Sequence, residues 1–198
     1  VSPSVDGDVL NALTRSALPL TGREVARLCD GRSQSGVRAA LNRLVDHGVV
    51  DTQPAGRSIL YSLNRDHVAT AAIEALIDLR AEAIARMREA VAMWPLPPFH
   101  LSIFGSFARG DGSVKSDIDI LVVRPAEVKA EDTAWLRQTN DFAMSIHRWT
   151  GNRASVSEIE QTDVSKLASK EPAIVKSLTN EAIVLHGPDI RSLLENAN

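Results

Sequence analysis

The sequence predicts an α+β protein in parts: three short helices and a β-hairpin, a long linker helix, then a mixed sheet with flanking helices. Three patterns carry this. Apolar residues recur at helical spacing up to His47 and then alternate between Val49 and Leu63. An unbroken helical pattern follows from His67 to Met93 and stops at Pro95, Pro97 and Pro98. Two short β-rich runs, Leu101–Phe104 and Ile118–Val123, then enclose a glycine-serine turn. The expected domains are residues 1–66, 67–95 and 96–198.

In chain order, Val9, Leu10 and Leu13 form one face of a first helix over Asp6–Ser16, with Asp6 and Asp8 where its dipole favours negative charge. Pro19 ends it. Thr21 and Glu24 then make a capping box for a second helix, Gly22–Cys29, with Val25, Ala26 and Leu28 inward. A third begins at Ser33 or Gln34 and runs to His47 over Val37, Leu41, Leu44 and Val45, with Gly48 as its C-terminal stop. Val49–Val50, the Pro54-Ala55-Gly56 turn and the alternation of Ile59, Tyr61 and Leu63 predict the hairpin.

The linker helix carries Ala72, Ile73, Leu76, Ile77, Leu79, Ile84, Met87 and Val91 on one broad apolar stripe. Such a stripe suits core packing, and it also suits a homodimer.

Beyond the prolines, the apolar run Leu101, Ile103, Phe104 leads into Gly105-Ser106 and a short helix, and Ile118, Ile120, Val122, Val123 make the next strand. Side chains alternate along a strand, so Asp117 and Asp119 point the same way while Ile118 and Ile120 point into the core. Two parallel carboxylates suit Mg2+ (or Mn2+), which takes oxygen ligands from one or two carboxylates, substrate phosphates and water. The glycine allows close backbone approach, and N–H groups with a serine hydroxyl can hold a phosphate. Glu131–Trp149 reads as an amphipathic helix with Leu136, Phe142 and Ile146 inward, followed by a strand from Ala154, short helices at Asp163–Leu167 and Pro172–Leu178, and a last strand over 181–187.

With 198 residues, 44% hydrophobic and 24% charged, the chain has the composition of a soluble globular protein rather than a disordered or fibrous one. Cys29 has no partner for an internal disulfide and lies on an apolar face, which fits a reduced compartment. No apolar run reaches membrane-spanning length and no signal peptide is visible, so a cytoplasmic location and no membrane partner are expected. Residues 1–65 hold eight arginines against six acids, whereas the remainder holds 14 basic against 19 acidic residues. A basic head on an acidic body hints at nucleic acid for the head.

GSFARG followed by SDIDILVV, residues 105–110 and 116–123, resembles the signature of the DNA polymerase β superfamily in its minimal nucleotidyltransferase form. The resemblance implies a mixed-sheet nucleotidyltransferase fold, a nucleoside triphosphate held around Gly105, Ser106, Arg109 and Ser116, and Asp117 and Asp119 as metal ligands and catalytic residues. Active relatives carry a third carboxylate on the strand after the long helix. Here that strand offers Ser155 to the cleft, and Glu158 could substitute only through a bulge or register shift.

Residues 9–67 resemble the winged helix-turn-helix of bacterial transcriptional regulators, including its pattern at Leu41, Leu44 and Gly48–Val50. That resemblance implies that residues 33–43 enter the major groove of double-stranded DNA, with Ser33, Gln34, Ser35, Arg38 and Asn42 on the polar side, Arg43 toward phosphates and Arg57 at the hairpin tip. The expected function is a DNA-binding regulator whose second domain binds NTP and Mg2+. The alternatives are an active nucleotidyltransferase that moves NMP onto a hydroxyl, and an antitoxin-like interaction protein.

Overall fold

The computed structural model describes residues 4–113, 115–170 and 172–195. They divide between Leu79 and Arg80 into two units, each built around its own apolar core.

The N-terminal unit opens with α1 (Val5–Arg15), capped by Ser4, whose Oγ accepts the Gly7 N–H. Leu20–Thr21 form a two-residue strand, β1, before α2 (Gly22–Leu28). The capping box is present: Glu24 Oε2 accepts the Thr21 N–H at 2.7 Å and Thr21 Oγ1 accepts the Glu24 N–H at 3.3 Å. Helix α3 (Gln34–Asp46) follows, then β2 (Val50–Ala55) and β3 (Ser58–Leu63). The hairpin turns at Gly56-Arg57, with Pro54 and Ala55 still in the ladder rather than in the turn. Strand β1 pairs with β3 through Leu20↔Tyr61, giving the order β1-β3-β2. Val9, Leu13, Val25, Cys29, Val37 and Leu41 fill the core.

The predicted linker helix is two helices, α4 (Thr70–Ile77) and α5 (Leu79–Ala92), broken at Asp78, whose N–H closes α4 on the Glu74 carbonyl. Aspartate is a poor interior helix residue because its side chain competes for backbone groups. The single stripe read from the sequence serves two cores: Ile73 packs on the first, and Ile84, Met87 and Val91 on the second.

The C-terminal unit continues with β4 (His100–Phe104), α6 (Gly105–Arg109), β5 (Ile118–Arg124), α7 (Thr133–Thr150) and β6 (Ala154–Glu160). A 3-10 turn (Gln161–Asp163) leads to α8 (Val164–Lys170), α9 (Pro172–Glu181), β7 (Ile183–His186) and α10 (Ile190–Glu195). The sheet order is β6-β5-β4-β7; β5 and β6 are parallel, and β4 is antiparallel to both its neighbours. On one face Ile103, Ile118 and Ile120 pack with α5 and with Trp135, Phe142 and Ile146 of α7. On the other, Phe104, Leu121 and Val123 lie under Val164, Leu178 and Ile190. Each fully buried aliphatic side chain of this kind contributes about 1.5–3 kcal/mol.

Three further expectations are corrected. Leu28 is 55% exposed, and α2 faces the core through Val25 instead. Leu136 is 52% exposed, and the inward phase of α7 is set instead by Trp135, which is fully buried with its Nε1–H donated to Glu158 Oε2 at 3.1 Å. The last strand begins at Ile183 rather than 181, because Glu181 ends α9, bonded back to Ser177 one turn earlier. Helix α10 was not foreseen. Among the described residues no helix is long and apolar enough to cross a membrane.

Candidate functional site

Asp119 sits on β5 between Phe104 of β4 and Ser155 of β6, and Asp117 lies immediately before the strand. Alternation puts Asp119 on the face of Leu121 and Val123, which farther along the strand are covered by α8–α10. At the start of the strand that cover is thinner: Asp117 is exposed and Asp119 half-buried. Burial, reinforced by the Asp117 charge, pushes the Asp119 carboxyl above its ordinary range, against the opposing pull of Arg109.

The chain leaves β4 at Gly105, with φ at 72°, a conformation only glycine adopts without strain. Helix α6 is fastened from both sides. Arg80 donates from Nε to the Phe107 carbonyl at 2.8 Å and from Nη2 to the Ala108 carbonyl, with its guanidinium over the Phe107 ring. Arg109 donates from Nε to Asp111 Oδ2 and from Nη1 to both oxygens of Glu181, each at 2.9 Å. The Asp111 and Glu181 carboxylates drive the Arg109 guanidinium upward. The Ser177 hydroxyl, and after it Arg109, hold the Glu181 carboxyl below its ordinary range, against the opposing effect of burial.

The loop leading to Asp117 is folded on itself. Ser106 carbonyl accepts from the N–H groups of Gly110, Asp111 and Gly112, and Ser116 Oγ accepts the Ser113 N–H at 3.0 Å. Asn152, in the turn after α7, donates from Nδ2 to the carbonyls of Ser113 and Ser116, at 3.0 and 2.8 Å. Sequence reading missed Asn152; Gly151-Asn152 looked only like a turn.

Of the residues the resemblance pointed to, Gly105, Arg109 and Asp119 come together, Ser106 lies in the α6 turn, and Ser116 locks the preceding loop. Ser155 is exposed beside Asp119. The β5–β6 register is regular from Ala154 to Glu160, so no bulge brings Glu158 to the cleft. Glu158 instead accepts Arg124 Nε at 3.0 Å, and Arg124 Nη2 reaches Glu160 at 3.0 Å, an ion triple around a nearly buried guanidinium. Among the described residues no cluster of three or more metal-ligating side chains exists. Two adjacent carboxylates with open positions beside them fit a hard divalent cation that completes its shell with water and phosphate oxygens.

In the N-terminal unit a groove of about 910 Å³ runs between α2, α3 and the hairpin, lined by Arg23, Gln34, Ser35, Arg38, Arg57 and Tyr61, among others. Gln34, Ser35, Arg38 and Arg57 line it together. Ser33 caps α3 by accepting the Gly36 N–H, and Asn42 is exposed outside the groove lining. Arg43 pairs with Asp6 at 2.8 Å. Arg23 was missed; its signal was the exposed pair Arg23 and Arg27, one helical turn apart on α2.

A family model described as nucleotidyltransferase domain matches residues 84–196. Among solved structures, a toxin-antitoxin crystal structure with AMP-PNP is similar at 17% identity, over 59% of this chain and 82% of that one, with a TM-score of 0.35. A mutant of the toxin-antitoxin MntA-HpeT is similar at 15% identity, over 58% of this chain and 82% of that one, with a TM-score of 0.38. No curated protein matches the chain.

Proposed function

The chain belongs to the nucleotidyltransferase domain family, and from that premise we propose that it is a DNA-binding regulator whose C-terminal unit takes a nucleoside triphosphate with a divalent cation. The observation that carries this is the Asp117–Asp119 pair at the open start of β5, beside the Gly105 turn and Arg109. A cation held by the two carboxylates would neutralise the triphosphate and fix its orientation. Ser155, beside Asp119 where a third carboxylate would stand, cannot take a proton from an attacking hydroxyl near neutral pH, so the nucleotide acts more as a ligand than as a substrate.

The N-terminal unit is read as a winged helix. Its α3 would lie in the major groove with Gln34, Ser35 and Arg38 at base edges, while Arg23 and Arg57 meet phosphates. Nucleotide in one unit would alter DNA affinity in the other only through different affinities for the two arrangements. A homodimer would present two such helices to paired half-sites.

A second reading, nucleotidyl transfer onto a hydroxyl, is favoured by the retention of both aspartates. One experiment separates the two: titrate the four NTPs with Mg2+ into wild type and Asp117→Ala/Asp119→Ala, follow turnover in the same samples, and repeat promoter-DNA binding with and without nucleotide. Binding without turnover, lost in the variant and coupled to DNA affinity, supports the regulator. Turnover lost in the variant supports the transferase, and no nucleotide binding removes both.

A further inference from the structure

We propose that Glu181 is a built-in competitor for the anion seat of this site, so that a triphosphate binds by displacing the Glu181 carboxylate from Arg109. The inference rests on the nucleotide reading above and deepens it.

Arg109 is the cationic side chain of α6, and its Nη1 is already shared between both oxygens of Glu181 at 2.9 Å. The Glu181 side chain is only 14% exposed, whereas that of Arg109 is 46% exposed. The carboxylate therefore lies on the inner side of the pair and the guanidinium at the surface. Glu181 is the last residue of α9 and is anchored one turn back by the Ser177 hydroxyl. Its ionised form is favoured by the Ser177 hydroxyl and by Arg109, so the guanidinium that a phosphate oxygen would want is bonded to an anion supplied by the chain itself.

A phosphate that approaches Arg109 from solvent meets a guanidinium whose Nη1 is already committed to this carboxylate. Coordination of a triphosphate at the Gly105 turn then requires the Glu181 side chain to swing out and Arg109 to exchange one anion for another. Because that exchange costs the free-state ion pair, Glu181 lowers nucleotide affinity and restricts occupancy to ligands carrying enough phosphate charge to win. A triphosphate has that charge, and a nucleoside does not.

The test titrates ATP with Mg2+, and separately inorganic triphosphate with Mg2+, into wild type, Glu181→Gln, Ser177→Ala and Arg109→Ala/Glu181→Gln, with melting curves to verify folding. Glutamine keeps the size and the Ser177 contact while removing the charge. Glu181→Gln is expected to bind both ligands about tenfold tighter, the effect of removing one like charge at contact distance in a partly exposed site. Ser177→Ala, which frees the carboxylate without removing it, is expected to tighten binding about threefold, the worth of one hydrogen bond. The double variant should lose the gain. Unchanged or weaker binding in Glu181→Gln, with wild type still binding, overturns the inference and makes Glu181 an anchor that positions Arg109, while the nucleotide reading stands. Failure of wild type and all variants to bind either ligand sinks the nucleotide reading and this inference together.

Discussion

Gly105 and Asp119 are packed so closely that a Cβ at position 105 would overlap Asp119 Oδ2 and lie 3.3 Å from its Cγ. Phe104 pairs with Asp119 across the two strands, so the next residue turns out of β4 directly over the carboxylate. The left-handed backbone at Gly105 lets this crossing happen. One glycine thus serves both the turn and the half-buried aspartate.

Gly105→Ala should therefore lower stability by about 1–2 kcal/mol for the left-handed backbone alone, and by more through collision with the carboxylate. In an Asp119→Ala background the collision is gone and only the backbone term remains. Chemical denaturation of the four proteins of this double-mutant cycle would read a coupling between the two positions; additive losses would refute the close packing.

Asp119→Asn removes a charge that burial and Asp117 both disfavour. A carboxyl raised in the folded state destabilises most above its folded pKa, and that penalty fades as pH falls toward the unfolded value near 4. At pH 7 without divalent cation, Asp119→Asn should melt on the order of 1–2 °C higher than wild type. With Mg2+ and nucleotide the order should reverse, because only wild type gains ligand stabilisation.

Local chemistry explains what the sequence disclosed. The Thr21–Glu24 capping box, the three N-terminal helices and the alternation around Asp117 and Asp119 all rest on neighbours within a few residues. On α7 Phe142 and Ile146 are buried as read, and only Leu136 is replaced by its apolar neighbour Trp135, which lies seven residues before Phe142 on the same face. Strand β1 was hidden because two residues after a proline have no periodicity of their own. Glu181 belongs to the last strand by sequence and to α9 in the fold; its bond to Ser177 is local, but its partner Arg109 lies more than 70 positions away and leaves no local signal. Ser155, read as facing the cleft, pairs with Asp119 in a regular parallel register that preserves alternation across the two strands.

Asn152→Ala tests whether the loop before Asp117 needs its clamp. Loss of the two hydrogen bonds to the Ser113 and Ser116 carbonyls should cost about 1–2 kcal/mol of stability and loosen the entry of Asp117. Mg2+-dependent nucleotide affinity should fall more than stability predicts. Equal nucleotide affinity in the variant, measured by calorimetry, would show that the loop holds itself.

The groove in the N-terminal unit makes a graded prediction. Arg23→Ala and Arg57→Ala should each weaken binding to any duplex and reduce the salt slope by about one counterion. Arg38→Ala should also relax sequence preference, by about 1–3 kcal/mol at the base it reads. Arg43→Ala should leave DNA affinity unchanged, because its guanidinium is paired with Asp6, and should cost under about 1 kcal/mol of stability. Fluorescence anisotropy against salt checks all four, and equal losses at every arginine would mean a diffuse charge effect instead of a groove.

Acid sensitivity should trace to His100, which lies fully buried on β4. Its Nδ1 is 2.8 Å from the Pro188 carbonyl, which can only accept, so Nδ1 carries the proton and Nε2 accepts from Ser102 Oγ at 2.9 Å. Burial holds the ring below the ordinary histidine range and the neighbouring His186 adds to this, against the opposing effects of the Pro188 carbonyl and Asp189. The unfolded chain, titrating near 6.5, thus binds the proton more readily than the folded one. Stability is complete above that value, falls by up to about 1.4 kcal/mol per pH unit below it, and levels off once pH passes the folded pKa. The carboxyls lowered by pairing, Glu181 among them, lose their contribution only in more acidic solution. Wild-type melting temperature should therefore drop between pH 7 and pH 5, and His100→Gln, which keeps a donor and an acceptor but cannot titrate, should flatten that slope. An equal slope in both proteins would assign the transition to another histidine and leave His100 a silent part of the core.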